Sequence, residues 1–226
     1  MSILTLFVVI PVLMLLGLWL SRNLNQVRGV MVVGSTCLLA LSIWLTLAFI
    51  QARQAGDTSE MLFTYSTPWF RPLNIAYSVG VDGISVVMLL LSAVIVFTGT
   101  FASWQLKPLT KEYFLWFTLL STGVFGFFIC TDLFTMFMFY EVALIPMYLL
   151  IGVWGSGNKE YAAMKLTLML MGGSALLIIG ILGIYFFSGA TTMNVNEIAA
   201  MHNIAPEVQK VFFPFIFIGF GVLGAM

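Results

Sequence analysis

Glu141 is the residue of this chain best placed to carry chemistry. It is the only charged residue in residues 133–153 and lies near the middle of that apolar run. A carboxyl at the centre of a membrane-spanning helix costs roughly 2.5–3.5 kcal/mol on insertion scales, and such groups usually face protein or water and act on ions or protons. The alternative is a structural acid, held neutral by burial and hydrogen-bonded to a neighbouring helix.

Pro146 follows Glu141 in the same apolar run. Because proline has no N–H, the carbonyl of Val142 loses its helical partner. We therefore expect a bend or a local widening of the helix around residues 142–146. A buried acid beside a helix break indicates a path for protons or cations.

Lys165 is the second candidate for this path and lies about one turn into the next apolar run. At 1.5 Å per residue, Lys165 should lie roughly 8 Å and Glu141 roughly 18 Å from the same membrane surface. This offset of about 10 Å favours a water-linked pair over a direct salt bridge. The alternative is that the lysine snorkels to the lipid headgroups.

Asp132 and Asp82 are secondary candidates, because each stands just before an apolar run. Both are expected to cap the free N–H groups at the start of a helix, where a negative charge is also favoured by the helix dipole. Asp132 and Glu141 are separated by about 900° of helical rotation, so they face opposite sides of an ideal helix. We do not expect them to share one site.

The composition sets the class of protein that must position these groups. The chain of 226 residues is 61% hydrophobic and 8% charged, with a mean hydropathy of +1.08. An ordinary soluble domain has about 25% charged residues. The sequence therefore predicts an integral membrane protein surrounded by the lipid bilayer. The formal net charge is +0, which gives no reason to expect a nucleic acid partner.

Apolar runs long enough to span a membrane predict an all-α polytopic membrane protein, since a spanning helix needs roughly 20 residues. We expect six transmembrane helices plus the start of a seventh, within a single transmembrane domain of residues 1–226. Residues 51–80 are predicted to form an outer-face loop with a short hairpin or irregular cap, and residues 194–200 a short surface helix. The predicted spans are residues 3–20, 29–50, 83–104, 113–130, 132–153, 161–187 and, running to the end of the sequence, 211–226.

The distribution of cations predicts the orientation in the membrane. The loops after the first, third and fifth helices carry five lysines and arginines, and the opposite loops carry three. The first set should lie in the cytoplasm, with the N-terminus outside. The two sets are Arg22, Arg28, Lys107, Lys111 and Lys159 on one side, and Arg53, Arg71 and Lys210 on the other.

No pattern in the sequence predicts a metal or a cofactor. His202 is the only histidine, and neither a second histidine nor a nearby thiol accompanies it. The two cysteines, Cys37 and Cys130, are far apart and fit no metal or redox pattern. Nucleotide-binding glycine loops and hydrolase motifs are absent from the sequence.

Three segments resemble one family of membrane subunits. Residues 130–155, CTDLFTMFMFYEVALIPMYLLIGVWG, are similar to the fifth-helix signature of the antiporter-like chain M, or subunit 4, of proton-translocating NADH:quinone oxidoreductase (respiratory complex I). VDGIS at residues 81–85 and AAMK at residues 162–165 support this resemblance. It covers the whole chain but only the first part of the family's usual length, so we expect this chain to be a fragment of a longer protein.

The resemblance implies a proton-pumping subunit with an antiporter-like bundle in a bacterial-type inner, energy-transducing membrane. It implies that other membrane-arm subunits are its partners, that quinone acts only indirectly, and that no redox centre lies in this chain. The residue matching Glu141 pairs in the family with a lysine on the seventh helix, and the lysine matching Lys165 belongs to the same polar region. Here Leu223 stands where the seventh-helix lysine is expected.

Two other interpretations stay open at this point. One is a related subunit of a multi-subunit cation/proton antiporter or of a membrane-bound hydrogenase, because those proteins share the fifth-helix signature. The other is a non-translocating structural subunit in which Glu141 is only a buried acid. The first requires Glu141 to face a hydrated path, whereas the second allows it to be enclosed by apolar side chains.

Overall fold

The predicted class is confirmed by a computed structural model of the chain. In the part of the chain that the structure describes, six helices are long and apolar enough to cross a membrane. Such helices form because a medium without water leaves the backbone groups only one another as partners. The structure describes residues 2–187, 189, 192–201 and 204–223, with the backbone alone at residues 201 and 223.

The chain divides into two compact units. One combines Met1–Tyr65 with Val79–Ile129, and the other combines Ser66–Ser78 with Cys130–Met226. A two-stranded hairpin contributes to both units, and its strands are β1 (Leu62–Phe70) and β2 (Ile75–Val81). A hairpin is therefore present in the predicted outer-face loop.

Four spanning helices make up the first unit. They are α1 (Leu6–Leu20), α2 (Leu24–Gln54), α3 (Gly83–Ala102) and α4 (Thr110–Ile129). α1 packs against α2 and α4, and α3 packs against the same two helices. The rings of Phe7 and Phe125 meet in the core of this unit, with their centroids 5.6 Å apart.

Two cations of the first unit satisfy backbone carbonyls where helices end. The Nζ atom of Lys111 donates to the carbonyls of Trp19 and Ser21 at 3.0 and 2.7 Å. The guanidinium of Arg28 donates to the carbonyl of Trp104 at 2.8 Å and lies 5.0 Å from the centre of that ring. The last carbonyls of a helix have no partner within the helix. These contacts therefore supply hydrogen-bond donors to carbonyls at the end of α1 and in the segment after α3.

Four helices follow among the described residues of the second unit. They are α5 (Leu133–Trp154), α6 (Lys159–Phe187), the short α7 (Val195–Met201) and α8 (Pro206–Leu223). α6 packs against both α5 and α8. The predicted short surface helix is present as α7, and the predicted seventh helix is present as α8.

The close contact between α6 and α8 depends on glycines of α6. A Cβ added at Gly180 or Gly183 would collide with Ile216 or Phe212 of α8, whereas one added at Gly172 would meet nothing within 4 Å. Small residues allow membrane helices to approach closely because the backbones themselves can meet. The face of α6 with Gly180 and Gly183 therefore sets the distance to α8.

Four helices begin earlier than the sequence predicted, and two of them, α2 and α8, begin five residues earlier. α2 begins at Leu24 instead of residue 29, because the side-chain oxygen of Gln26 accepts from the backbone N–H groups of Arg22 and Asn23 and so stabilises the start of the helix in its polar segment. α8 begins at Pro206 instead of residue 211, since proline is well suited to the first helical position, where its missing N–H would have had no partner. In both cases the helix extends beyond the apolar run that predicted it.

Candidate functional site

α5 carries the candidate acid. Glu141 lies roughly 13 Å along the axis from Asp132, the residue that caps this helix. Its side chain is half-buried, and its Oε1 atom is fully buried without a hydrogen-bond partner in the described part of the chain. An unpaired buried oxygen of a carboxyl is costly, since burial removes its contacts with water and nothing replaces them. The geometry therefore gives Glu141 one oxygen with an open requirement for a donor.

Pro146 is buried inside α5, which runs as one helix from Leu133 to Trp154. The carbonyl of Val142 has no N–H to accept from at this proline, because the proline nitrogen carries no hydrogen. Val142 directly follows Glu141. The carbonyl that loses its usual helical partner thus belongs to the turn of the helix that carries the acid.

Tyr140 is a polar neighbour that the sequence analysis did not single out. Its hydroxyl is buried and has no hydrogen-bond partner among the described residues, as is true of the Oε1 atom of Glu141. Tyrosine hydroxyls usually find a partner when they are buried. The sequence signal that could have identified Tyr140 is a hydroxyl directly beside a lone acid in an apolar span. In the described structure, these two adjacent residues each carry a buried polar atom without a hydrogen-bond partner.

Lys165 forms no hydrogen bond with the Oε1 atom of Glu141 or the hydroxyl of Tyr140 in the described structure. Its side chain is exposed, and its Nζ atom lies 6.0 Å from the centre of the Tyr161 ring, one turn nearer to the start of α6. That distance is at the limit of a cation–π contact. Within the described residues the Oε1 atom of Glu141 has no hydrogen-bond partner, so Lys165 does not pair with that atom.

The two aspartates act as caps in different surroundings. Asp82 is half-buried, and its Oδ1 atom accepts from the backbone N–H of Ser85 at 2.7 Å. Asp132 is only 1% exposed; its Oδ1 atom accepts from the N–H of Thr135 at 2.9 Å, and its Oδ2 atom accepts from the N–H of Ala76 at 3.3 Å. The Asp132 carboxyl therefore joins α5 to the hairpin. The Asp82 carboxyl accepts only from the first turn of the helix that it caps.

Metal-binding geometry is absent from the part of the chain that the structure describes. No group of three or more His, Cys, Asp or Glu side chains there could hold a metal ion. His202 lies outside the described residues, and so does the side chain of Leu223. The expectation that His202 binds no metal therefore stays a prediction, and so does the alignment of Leu223 with the seventh-helix lysine.

The comparisons with known proteins bear on the second unit most directly. Residues 130–226 match the family model described as "NADH:quinone oxidoreductase/Mrp antiporter, TM". This segment contains the whole of α5 and α6, and with them Glu141, Pro146 and Lys165.

Two curated relatives resemble longer stretches of the chain. It is 30% identical over 167 residues to "NAD(P)H-quinone oxidoreductase chain 4 2" of Thermosynechococcus vestitus, covering 74% of this chain and 31% of the relative. It is 26% identical over 224 residues to "NADH-quinone oxidoreductase subunit M" of Rickettsia prowazekii, covering 98% of this chain and 45% of the relative. The chain thus spans less than half the length of these curated relatives.

A solved structure shares the fold. The chain superposes on a chain of "Respiratory complex I from Thermus thermophilus with bound NADH" with a TM-score of 0.79 and 23% identity, covering 97% of this chain and 42% of that one. The resemblance predicted from the sequence is confirmed: residues 130–226 match the transmembrane family of NADH:quinone oxidoreductases and Mrp antiporters, and the chain is similar to subunit M and chain 4 proteins.

Proposed function

We propose that this chain is a proton-translocating membrane-arm subunit of NADH:quinone oxidoreductase and that Glu141 takes up and releases a proton. The observation that carries the proposal is the buried, unpaired Oε1 atom of Glu141 within a membrane-spanning helix. Desolvation favours the neutral acid, while an approaching cation or water favours the ionised form. A carboxyl group with an unsatisfied oxygen can change its protonation state in response to either change, as a proton carrier must.

The turn that carries Glu141 offers two further polar groups. The carbonyl of Val142 lacks a helical partner because of Pro146, and the hydroxyl of Tyr140 is buried and unpaired within the described residues. A hydroxyl can donate to Glu141 or to water, and the carbonyl can accept from water. These groups support a short hydrated path at the level of Glu141 and not an acid enclosed by apolar side chains.

Lys165 acts on Glu141 from a distance in this proposal. The side chain of Lys165 is exposed and has a long flexible stem. A positive charge linked through water would favour the ionised form of Glu141, and its movement would favour release or uptake of the proton. Lys165 is therefore proposed as an electrostatic modulator and Glu141 as the proton carrier.

The rest of the proposal concerns the assembly. Residues 1–226 form a single transmembrane domain, with the N-terminus outside, in an energy-transducing membrane of the bacterial inner-membrane type. Other membrane-arm subunits are its partners, no redox centre lies in the chain, and quinone acts only indirectly.

The matched family model also covers Mrp antiporters, so a cation/proton antiporter subunit is the second candidate. Proton uptake that depends on a transported cation and not on NADH would favour that candidate.

The test is the Glu141→Gln variant in the assembled complex. Glutamine keeps the shape and removes the titration, so NADH-driven proton uptake by membrane vesicles should be largely lost while the subunit content stays normal. Glu141→Asp should retain part of the activity. Glu112→Gln is the matched control, because Glu112 is an exposed acid in the first turn of α4. Normal pumping by an assembled Glu141→Gln complex would leave the structural-acid interpretation as the better one.

A further inference from the structure

Three segments of the second unit meet at residues 131–133. The N–H of Thr131 donates to the carbonyl of Ser78 in β2 at 2.9 Å. On the other side, the N–H of Leu133 donates to the carbonyl of Met193 at 3.0 Å, and the carbonyl of Thr131 accepts from Val195 at 2.9 Å. Residues 131–133 therefore form a short central segment between the hairpin and the segment that leads into α7.

The carboxyl group of Asp132 fastens the hairpin to the first turn of α5. Its two oxygens accept from different elements, Oδ1 from Thr135 and Oδ2 from Ala76. The hydroxyl of Thr135 completes the contact by donating to the carbonyl of Ala76 at 3.1 Å. Both backbone groups of Ala76 are thus held by side chains of α5 and its cap.

A helix cap alone does not require this arrangement. Asp82 caps α3 through a single oxygen and is only half-buried. Burying a carboxyl as completely as Asp132 is costly unless its oxygens are satisfied. The second oxygen and the near-complete burial therefore point to a purpose beyond capping.

The hairpin tip, by which we mean the start of β2 at Ile75 and Ala76, is also anchored to α6. Ile75 and Met193, which flank the contacts of Asp132, are 2% and 0% exposed and form one buried cluster with Leu177 and Ile181 of α6. The hairpin tip is consequently held to α6 by packing and to α5 by Asp132. At the opposite end of α5, the Nζ atom of Lys159 donates to the carbonyl of Val153 at 2.6 Å.

We propose that Asp132 is a positioning residue, which clamps the start of α5 to the hairpin tip and so fixes the rotation and the axial position of Glu141. The helix between them is continuous, so a shift at Asp132 is carried to Glu141 roughly 13 Å away. The effect on pumping rests on the proposed function of Glu141. The clamp itself is a separate claim with its own measurement.

Three variants separate the clamp from the cap and from proton transfer. Asp132→Asn and Asp132→Ser each keep an oxygen able to cap Thr135, but neither keeps the second acceptor for Ala76. Thr135→Val removes the hydroxyl contact to Ala76 and leaves the carboxyl of Asp132 in place. Asp82→Asn is the matched control for the exchange measurement, because Asp82 also caps a helix, with its Oδ1 atom accepting from the N–H of Ser85 in α3.

The first measurement is hydrogen exchange in the assembled complex, read from the peptide that contains Ala76. A hydrogen bond to a charged group contributes about 1.5–3 kcal/mol, so its loss in Asp132→Asn should speed exchange at Ala76 by about tenfold or more. Asp82→Asn should leave the exchange unchanged. Unchanged exchange at Ala76 in Asp132→Asn would overturn the clamp, whatever the outcome of the pumping experiments.

The second measurement is the number of protons pumped per NADH oxidised. A positioning role predicts that Asp132→Asn, Asp132→Ser and Thr135→Val all lower this ratio, since each loosens the start of α5. Loss of pumping in Asp132→Asn together with a normal ratio in Thr135→Val would instead make Asp132 a proton carrier and overturn the proposal. If Glu141→Gln pumps normally, the proposed function fails, and the exchange measurement still decides the clamp.

Discussion

The ammonium group of Lys165 lies 6.0 Å from the centre of the Tyr161 ring, one turn nearer to the start of α6. Both side chains are exposed. A lysine in this position extends its apolar stem along the helix and carries its charge toward the membrane surface. Any influence of Lys165 on Glu141 in this arrangement is exerted through space or water and not through an ion pair.

Lys165→Ala should therefore weaken NADH-driven proton uptake less than Glu141→Gln does. Removing a distant charge alters the balance between the two protonation states of Glu141 but leaves the titrating group in place. Lys165→Arg keeps the charge and should retain most of the uptake. The measurement is proton uptake by membrane vesicles at matched subunit content. A loss in Lys165→Ala as complete as that in Glu141→Gln would assign Lys165 a direct part in the transfer.

Opposite-sided labelling is expected for Ser59 and Lys107. Both residues are exposed, and they follow α2 and α3 respectively. A helix such as α3 that crosses the membrane once places its two ends on opposite sides, and the cation distribution puts Lys107 in the cytoplasm. Ser59→Cys and Lys107→Cys should react with an impermeant thiol reagent from opposite sides of sealed vesicles. Reaction of both from one side would contradict the predicted topology.

Gly180→Leu should destabilise the contact between α6 and α8. A Cβ at this position already meets the side chain of Ile216, and overpacking of a close contact costs about 1–3 kcal/mol. Gly172→Leu is the matched control, because the space around Gly172 is open to 4 Å. The measurement is the temperature at which the purified complex loses this subunit. Equal temperatures for the two variants would mean that the glycine face of α6 does not determine the packing of α8.

The sequence predicted the spanning helices well, because long apolar runs and their lengths follow directly from the thickness of the bilayer. Glu141 was evident as a lone charge in such a run. The lack of a hydrogen-bond partner for its Oε1 atom among the described residues was not predictable, since this depends on how α5 packs. The contact of Asp132 with Ala76 joins residues 56 positions apart. A sequence reveals the capping role of such an aspartate, which is local, but not its second, long-range partner.

Pro146→Ala should lower proton uptake while leaving α5 in place. Alanine restores a backbone N–H that can donate to the carbonyl of Val142. The turn beside Glu141 then becomes regular, and this carbonyl is no longer available to bind water. Pro11→Ala is the matched control, because Pro11 is also buried inside a spanning helix, α1, which carries no charged residue. The measurements are proton uptake by vesicles and the geometry of α5 in the assembled complex. We expect a bend or widening at residues 142–146 in the natural chain and a straighter helix in Pro146→Ala. A straight, regular α5 in the natural chain, or an equal loss of uptake in Pro11→Ala, would disconnect the helix break from the chemistry of Glu141.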